Sequence, residues 1–293
     1  MWVIIGYVIV MFSVFGGFVM AGGHAAALFQ PLELLMIGGG AAGAFLVGND
    51  MKVIKATMKT LPGLFKSTKY DRSLYIELLL LLYRLLSKIR TDGLIAIESD
   101  VERPNESPLF LDYPLVMENH HAVEFLTDYL RLMVSGKADP FQIENLMDNE
   151  IDTHHAEGEF PVHCIAKVGD GLPAFGIVAA VMGVVHTMES VGLPPAELGM
   201  LIAHALVGTF LGILLAYGFV APLSGLAEQK LHESSKPLHC IKVTLIASLN
   251  GYPPALAVEF GRKVLFSTER PSFSEVDDEI RQAKSKPKPE NDG

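Results

Sequence analysis

The sequence predicts an all-α, polytopic membrane protein with four transmembrane helices and a helical cytoplasmic domain. Three observations predict it. Residues 171–188 and 198–227 contain no Asp, Glu, Lys or Arg. All 23 Lys and Arg fall within 52–167 and 230–288, so 1–51 and 168–229 carry none. No stretch alternates polar and apolar residues as a half-buried strand does, and no internal repeat is visible. A bilayer core takes about 20 mostly apolar residues as helix. Lipid offers a spanning chain of this pattern no other way to pair its backbone polar groups.

The first span is read at Trp2 to Met20. It lacks the basic n-region of a signal peptide and is longer than such a peptide's apolar core, so it is expected to stay uncleaved. Gly22-Gly23-His24 and Pro31 mark a short outer loop. The second span follows from about Leu32 to Val47, through Gly38-Gly39-Gly40 and Ala41-Ala42-Gly43, with Glu33 at its outer end. So many small residues predict close packing against a neighbour. The third and fourth spans form a hairpin over 169–227, joined by a loop that holds Glu189 and Glu197.

Between the second and third spans the pattern is helical and charged. Lys52, Lys55 and Lys59 recur at helical spacing among apolar residues, which predicts a basic amphipathic helix at the inner membrane face. Residues 75–90 (YIELLLLLYRLLSKIR) are too short and too charged for a span, and predict a cytoplasmic helix buried in a bundle. Further helices are expected at 94–101, 119–134 and 140–150, and after the fourth span at 239–250, 255–267 and 271–281, the last capped by Ser272 or Ser274. The organisation is therefore 1–48 for two spans, 49–168 for a cytoplasmic helical domain, 169–227 for two spans, 228–282 for cytoplasmic helices and 283–293 for a Pro-rich, charged tail expected to be disordered. Lys and Arg favour the cytoplasmic side, which places both basic blocks, and hence both termini, inside.

Chemistry-bearing motifs are scarce. There is no P-loop, nucleophile elbow or HExxH, and no enzyme is expected. Cys164 and Cys240 have neither the spacing of a metal site nor the compartment of a structural disulfide. His120-His121 and His154-His155 are adjacent pairs whose rings diverge on a helix. Glu150 and His154 could pair at i, i+4, and a solvated helix face accounts for them more simply. The net charge is −10, unevenly spread, and no nucleic-acid partner is expected.

The spans themselves say more. Gly176, Ala179, Ala180 and Gly183 form a small-residue stripe on the third span; Ala205, Gly208, Thr209, Gly212 and Ala216 form one on the fourth. Such stripes let another backbone approach. They serve either packing within one bundle, which spacing alone favours, or a surface that grips a helix of another chain. At about 1.5 Å rise per residue, Ala180 and Thr209 should lie at similar depth. Pro173 and Pro222 both fall toward the cytoplasmic ends of their helices, as a hinge pair or as ordinary transmembrane prolines. No Asp or Glu sits deep in any span, so a proton path would need His204 or a carboxylate brought by a partner helix.

These residues resemble the MotA family, the larger subunit of the flagellar motor stator. VGDGLPAFGIVAAVMGVVH (168–186), LIAHALVGTFLGILLAYGF (201–219) and KVTLIASLNGYPPALAVEFGRK (242–263) carry the resemblance, with IIGYVIV and FGGFVMAGG before them and ERPSFSE around Pro271 after. The resemblance implies five copies around two copies of MotB, a single-span, peptidoglycan-anchored partner that supplies the membrane aspartate. It implies a bacterial inner-membrane location, no cofactor, and a rotor partner of the FliG type engaged by Arg90 and Glu98, which could otherwise form a mere surface ion pair. Pro173 and Pro222 match the coupling prolines and Thr209 the threonine lining the ion path. Sodium-driven relatives place a threonine on the third span where this chain has Ala179-Ala180, which implies a transported proton. Gly176, Ala179, Gly183, Ala205, Gly208 and Gly212 become the expected partner-helix packing residues. The alternatives are an ExbB/TolQ-type transducer, which has three spans, a self-contained channel that would depend on His204, and a scaffold without transport.

Overall fold

A computed structural model describes residues 2–136, 139–189 and 192–285. All regular structure among them is helical. The helices are α1 (Trp2–Met20), α2 (Pro31–Val47), α3 (Met51–Leu64), α4 (Arg72–Asp92), α5 (Glu98–Glu102), α6 (Pro108–Leu111), α7 (Pro114–Met117), α8 (His120–Val134), α9 (Pro140–Glu189), α10 (Pro195–Leu249), α11 (Pro254–Lys263) and α12 (Phe273–Ser285). Four segments are long and apolar enough to cross a membrane: Trp2–Met20, Ala25–Val47 and parts of α9 and α10.

Two boundaries differ from the sequence expectation for one reason. The helix expected at 140–150 does not stop; it runs on through the third span to Glu189. The fourth span likewise continues to Leu249 instead of yielding to a separate helix at 239–250. Charge and hydropathy change along both helices, but the backbone stays helical across the change. Pro161, Pro173 and Pro237 are absorbed inside them rather than ending them. The last helix also reaches Ser285, into the stretch expected to be disordered, and residues 286–293 of that tail lie outside the described residues.

The chain divides into two compact units. One comprises residues up to Ser67 with Glu157–Leu231. Its core is Ile37 and Ala41 of α2 against Leu172 and Ala179 of α9 and Val207, Leu211 and Ala216 of α10. The glycine-rich second span packs as expected at one point. A Cβ on Gly40 would come within 2.5 Å of the Phe175 ring, whereas Gly38, Gly39 and Gly43 have open space. A second cluster joins Leu64, Val162, Ile165 and Ala227. Here α3 is capped at both ends. The Asp50 side chain accepts from the Val53 amide at 2.9 Å, and Lys230 Nζ donates to the Gly63 and Lys66 carbonyls at 2.7 Å each, a cation at a helix C-terminus.

The other unit comprises Thr68–Ala156 and residues from His232 onward. Its centre is α4, buried on nearly every side from Leu74 to Leu86, as an all-round apolar helix must be. Around it pack α6, α7, α11 and α12, with Ile97, Phe110, Val116, Phe125, Leu126 and Val258 filling the core. Gly261 meets Cys240 and Thr244 so closely that no Cβ fits. Arg262, 6% exposed, donates to both Glu259 carboxylate oxygens and to the Pro271 carbonyl. Ser272, rather than Ser274, caps α12. Its Oγ accepts from the Glu275 amide while Glu275 Oε2 accepts from the Ser272 amide, a reciprocal capping box. The ERPSFSE stretch is thus a docking clamp, completed by an Arg72–Glu275 ion pair.

Candidate functional site

The two small-residue stripes face each other within one chain. A Cβ on Gly176 would lie 2.8 Å from the Gly208 carbonyl oxygen and 3.0 Å from the Gly212 Cα. One on Gly183 would lie 2.8 Å from the Ala205 Cβ, and one on Gly208 3.1 Å from the Ala179 Cβ and the Ala180 nitrogen. Ala179 and Ala205 are 1% and 2% exposed. Gly176, Ala179, Gly183, Ala205, Gly208 and Gly212, expected to hold a partner's helix, are engaged here within the chain, the packing alternative that spacing favoured. Their period identifies a close-packing face, but the hairpin loop already brings the complementary face from the same chain.

Gly208 beside Ala180 sets Ala180 and Thr209 at one level. Both are only partly buried, at the edge of the packed seam. Val178, Val181, Met182 and Val185 of α9 turn outward, 53–57% exposed. His204 is half-buried one turn before Gly208. Glu33, on the α2 face that carries Ile37, has one buried carboxylate oxygen with no hydrogen-bond partner among the described residues.

The two prolines sit in different settings. Leu172, next to Pro173, has its carbonyl against Gly212, inside the seam. Pro222 lies further along, where Ser224 Oγ donates to the Val162 carbonyl at 3.2 Å, and it is exposed. The backbone before Pro222 widens to π-type turns over Leu214–Val220. A second wide segment, Phe12–Gly16, interrupts α1. Inserted π turns are frequent at functional positions, and neither segment carries a local spacing that marks it in the sequence.

Arg90 and Glu98 stand exposed on either side of a sharp corner. Gly93, with φ +87°, ends α4 in a conformation that L side chains rarely adopt. No ion pair joins Arg90 to Glu98 among the described residues. The corner is anchored elsewhere. Lys88 Nζ donates to Asp100 Oδ2 at 2.7 Å, and Ser107 Oγ donates to Asp100 Oδ1 at 2.6 Å, with Asp100 8% exposed. Arg131 Nη2 donates to the Val101 carbonyl at 2.9 Å. Two charged side chains are thereby presented to solvent from a rigid support. Lys88 and Asp100, 12 residues apart, gave no local pattern to read.

The histidine pairs do not converge. His121 meets His154 edge to face and His155 meets His232 at a tilt, with centroids 5.6 and 5.1 Å apart. No cluster of three metal-ligating side chains occurs among the described residues. His239 is pushed below the ordinary histidine range by burial and by Lys236 and Lys242.

Comparison with known proteins accords with this architecture. Residues 4–93 match the family described as Motility protein A N-terminal, and 117–238 the MotA/TolQ/ExbB proton channel family. The chain is 55% identical to motility protein A of Salmonella typhimurium, covering 96% of this chain and 95% of that one. It is 54% identical to motility protein A of Escherichia coli, covering 97% of each. Identity to the chemotaxis protein LafT of Vibrio parahaemolyticus is 36%, covering 93% of this chain and 96% of that one. The fold matches a chain of the C. jejuni MotAB structure with TM-score 0.76 at 22% identity, covering 92% and 98% of the two chains. It matches a chain of the flagellar MotAB stator complex from Bacillus subtilis with TM-score 0.73 at 22% identity, covering 97% and 98%. Four segments long and apolar enough to cross a membrane, the paired third and fourth spans, and 54–55% identity over 96–97% of the chain together place it in the motility protein A family.

Proposed function

We propose that the chain is the torque-generating membrane subunit of a bacterial flagellar stator, driven by protons through a path shared with a MotB-type partner. The observation that carries this reading is 55% identity to a motility protein A over 96% of the chain. The two early spans support it over an ExbB/TolQ-type transducer, since those proteins have three spans.

In this reading the chain lies in the inner membrane with both termini cytoplasmic. Five copies surround a dimer of a single-span, peptidoglycan-anchored partner, whose carboxylate takes the proton. Because the glycine stripes are occupied within the chain, the partner helix meets the edge beside Ala180 and Thr209 instead. Neutralising the partner's carboxylate changes its desolvation cost at that edge and lets the ring advance. Moving one charge through about 100 mV supplies about 2.3 kcal/mol, only a few RT, so each advance must cross low barriers. Pro173 and Pro222 give the helices places to bend. Arg90 and Glu98, held on the Lys88–Asp100 anchor, meet a FliG-type rotor surface, where exposed charges steer and register a contact more than they tighten it.

Proton uptake tests this. Cells lacking their own stator would express this chain with and without a MotB-type partner, and cytoplasmic pH would be followed after an external acid pulse. Acidification that needs both proteins supports the shared path. Acidification with this chain alone would replace it by a self-contained channel dependent on His204.

A further inference from the structure

We propose that Tyr7 of the first span is a positioning residue for the Pro222 turn: its hydroxyl pins the Phe219 carbonyl and so sets the bend of the fourth span. The inference rests on the stator reading for its consequence in rotation, and on geometry alone for the contact itself.

Pro222 has no backbone N–H, and its ring crowds the turn before it. That turn is the wide segment Leu214–Val220. A π-type turn keeps wider i→i+5 hydrogen bonds, and a donor from another helix to one of its carbonyls fixes the turn from outside. Tyr7 provides one. Its Oη donates to the Phe219 carbonyl at 3.0 Å, across 212 residues of sequence. Its ring lies on the Phe219 ring with centroids 4.8 Å apart and planes at 36°. One turn along α1, Val10 covers Gly218, where a Cβ would come within 3.1 Å of Val10 Cγ1. The first span therefore grips two consecutive residues of the widened turn.

The same surfaces leave room for movement. A cleft of about 190 Å³ opens beside this contact, lined by Gly6, Tyr7, Val10, Gly218, Pro222 and Leu223 among others. The Pro222 ring borders that space and is not wedged. Apolar packing along such a cleft is non-directional, so the Tyr7 hydroxyl is the contact that selects one bend. A fourth span that bends at Pro222 must stretch or release this hydrogen bond.

The test uses the full chain co-expressed with a MotB-type partner and reconstituted in nanodiscs. Tyr7→Phe keeps the ring stacking and removes the donor. Amide hydrogen exchange in peptides covering 214–226 should rise about threefold, the factor expected for one membrane hydrogen bond, while peptides from 74–86 keep the wild-type rate. Val10→Ala loosens packing and leaves the hydroxyl, so exchange at 219–224 should stay at the wild-type rate. In a Pro222→Ala background the increment from Tyr7→Phe should vanish. Unchanged exchange in Tyr7→Phe, an equal rise in Val10→Ala, or an undiminished increment without Pro222 would each overturn the positioning role. Rotation of the wild-type complex is scored separately. If it fails while the exchange pattern holds, the stator reading falls and the contact stands; if it succeeds and the exchange pattern fails, the reverse is true.

Discussion

Gly176 and Gly212 touch backbone to backbone across the third and fourth spans. A Cβ on Gly212 would lie 2.9 Å from the Gly176 Cα and 2.7 Å from the Leu172 carbonyl oxygen. Neither obstacle is a flexible side-chain end, so a methyl group there can be accommodated only by separating the helices.

Gly212→Ala is therefore expected to cost about 1–3 kcal/mol, the range for overpacking a tight interior. Gly38→Ala, at a position with nothing within 4 Å, should be neutral. Thermal unfolding of the detergent-solubilised chain checks the pair. Equal midpoints for the two variants would contradict the inward-facing stripe.

The Lys88–Asp100–Ser107 anchor beside the Gly93 corner gives a second test. Asp100→Ala removes the acceptor for both Lys88 and Ser107. Charge-assisted hydrogen bonds contribute about 1.5–3 kcal/mol, and Lys88 is one-third exposed and re-solvates, so a loss at the lower end is expected in denaturant unfolding. High-load rotation should slow although Arg90 and Glu98 are intact.

Arg90→Glu and Glu98→Lys should behave in the opposite way. Both side chains are exposed and make no ion pair with each other among the described residues. Each substitution is expected to change stability by less than about 0.5 kcal/mol, while rotation at high load falls severalfold. A loss of membrane accumulation in either variant would assign these charges to folding instead.

Acid should loosen α12 through one carboxylate. Hydrogen bonds from Ser272 and then from Arg72 hold Glu275 at about 2, well below the usual carboxylate range. A depressed folded pKa means that the capping contribution is present above the unfolded value, about 4.3, and is lost as pH falls toward about 2. Local exchange of peptides within 273–285 should rise over that window. Glu275→Gln should remove the pH dependence.

Burial has the converse effect on Cys240. Its thiol is pushed up to about 12 by its apolar surroundings. The folded chain should therefore resist alkylation at pH 8, where an exposed thiol of pKa about 8.5 reacts. The linked stability is present below about pH 8.5 and is lost as pH rises toward about 12. Mass-shift labelling before and after denaturation measures the protection.

Legibility in the sequence followed the physics of each feature. Hydropathy and the absence of charge located all four spans, because lipid penalises every exception. The leucine-rich stretch from Tyr75 announced a buried central helix because a helix apolar on all sides must be covered by protein. Glycine period identified the close-packing faces of α9 and α10 but could not say which surface each would meet, since Gly176 would suit a partner chain as well as Gly212. Helix ends at Glu150 and His239 were misplaced because a change in polarity along a helix resembles a boundary. The widened turn at Leu214–Val220 and the Tyr7–Phe219 contact depend on tertiary geometry that no local spacing encodes. The Lys88–Asp100–Ser107 anchor was hidden for a similar reason, its members being ordinary charged and polar residues until the corner at Gly93 brings them together.

The central claim is proton-driven torque from this chain with a MotB-type partner. Its most direct test is the rotation of tethered, stator-deleted cells expressing both proteins in sodium-free medium, with a protonophore added during recording. Rotation should require both proteins and stop on addition of the protonophore. Rotation that persists with the protonophore, or cells that stay still although both proteins insert and co-purify, would contradict it.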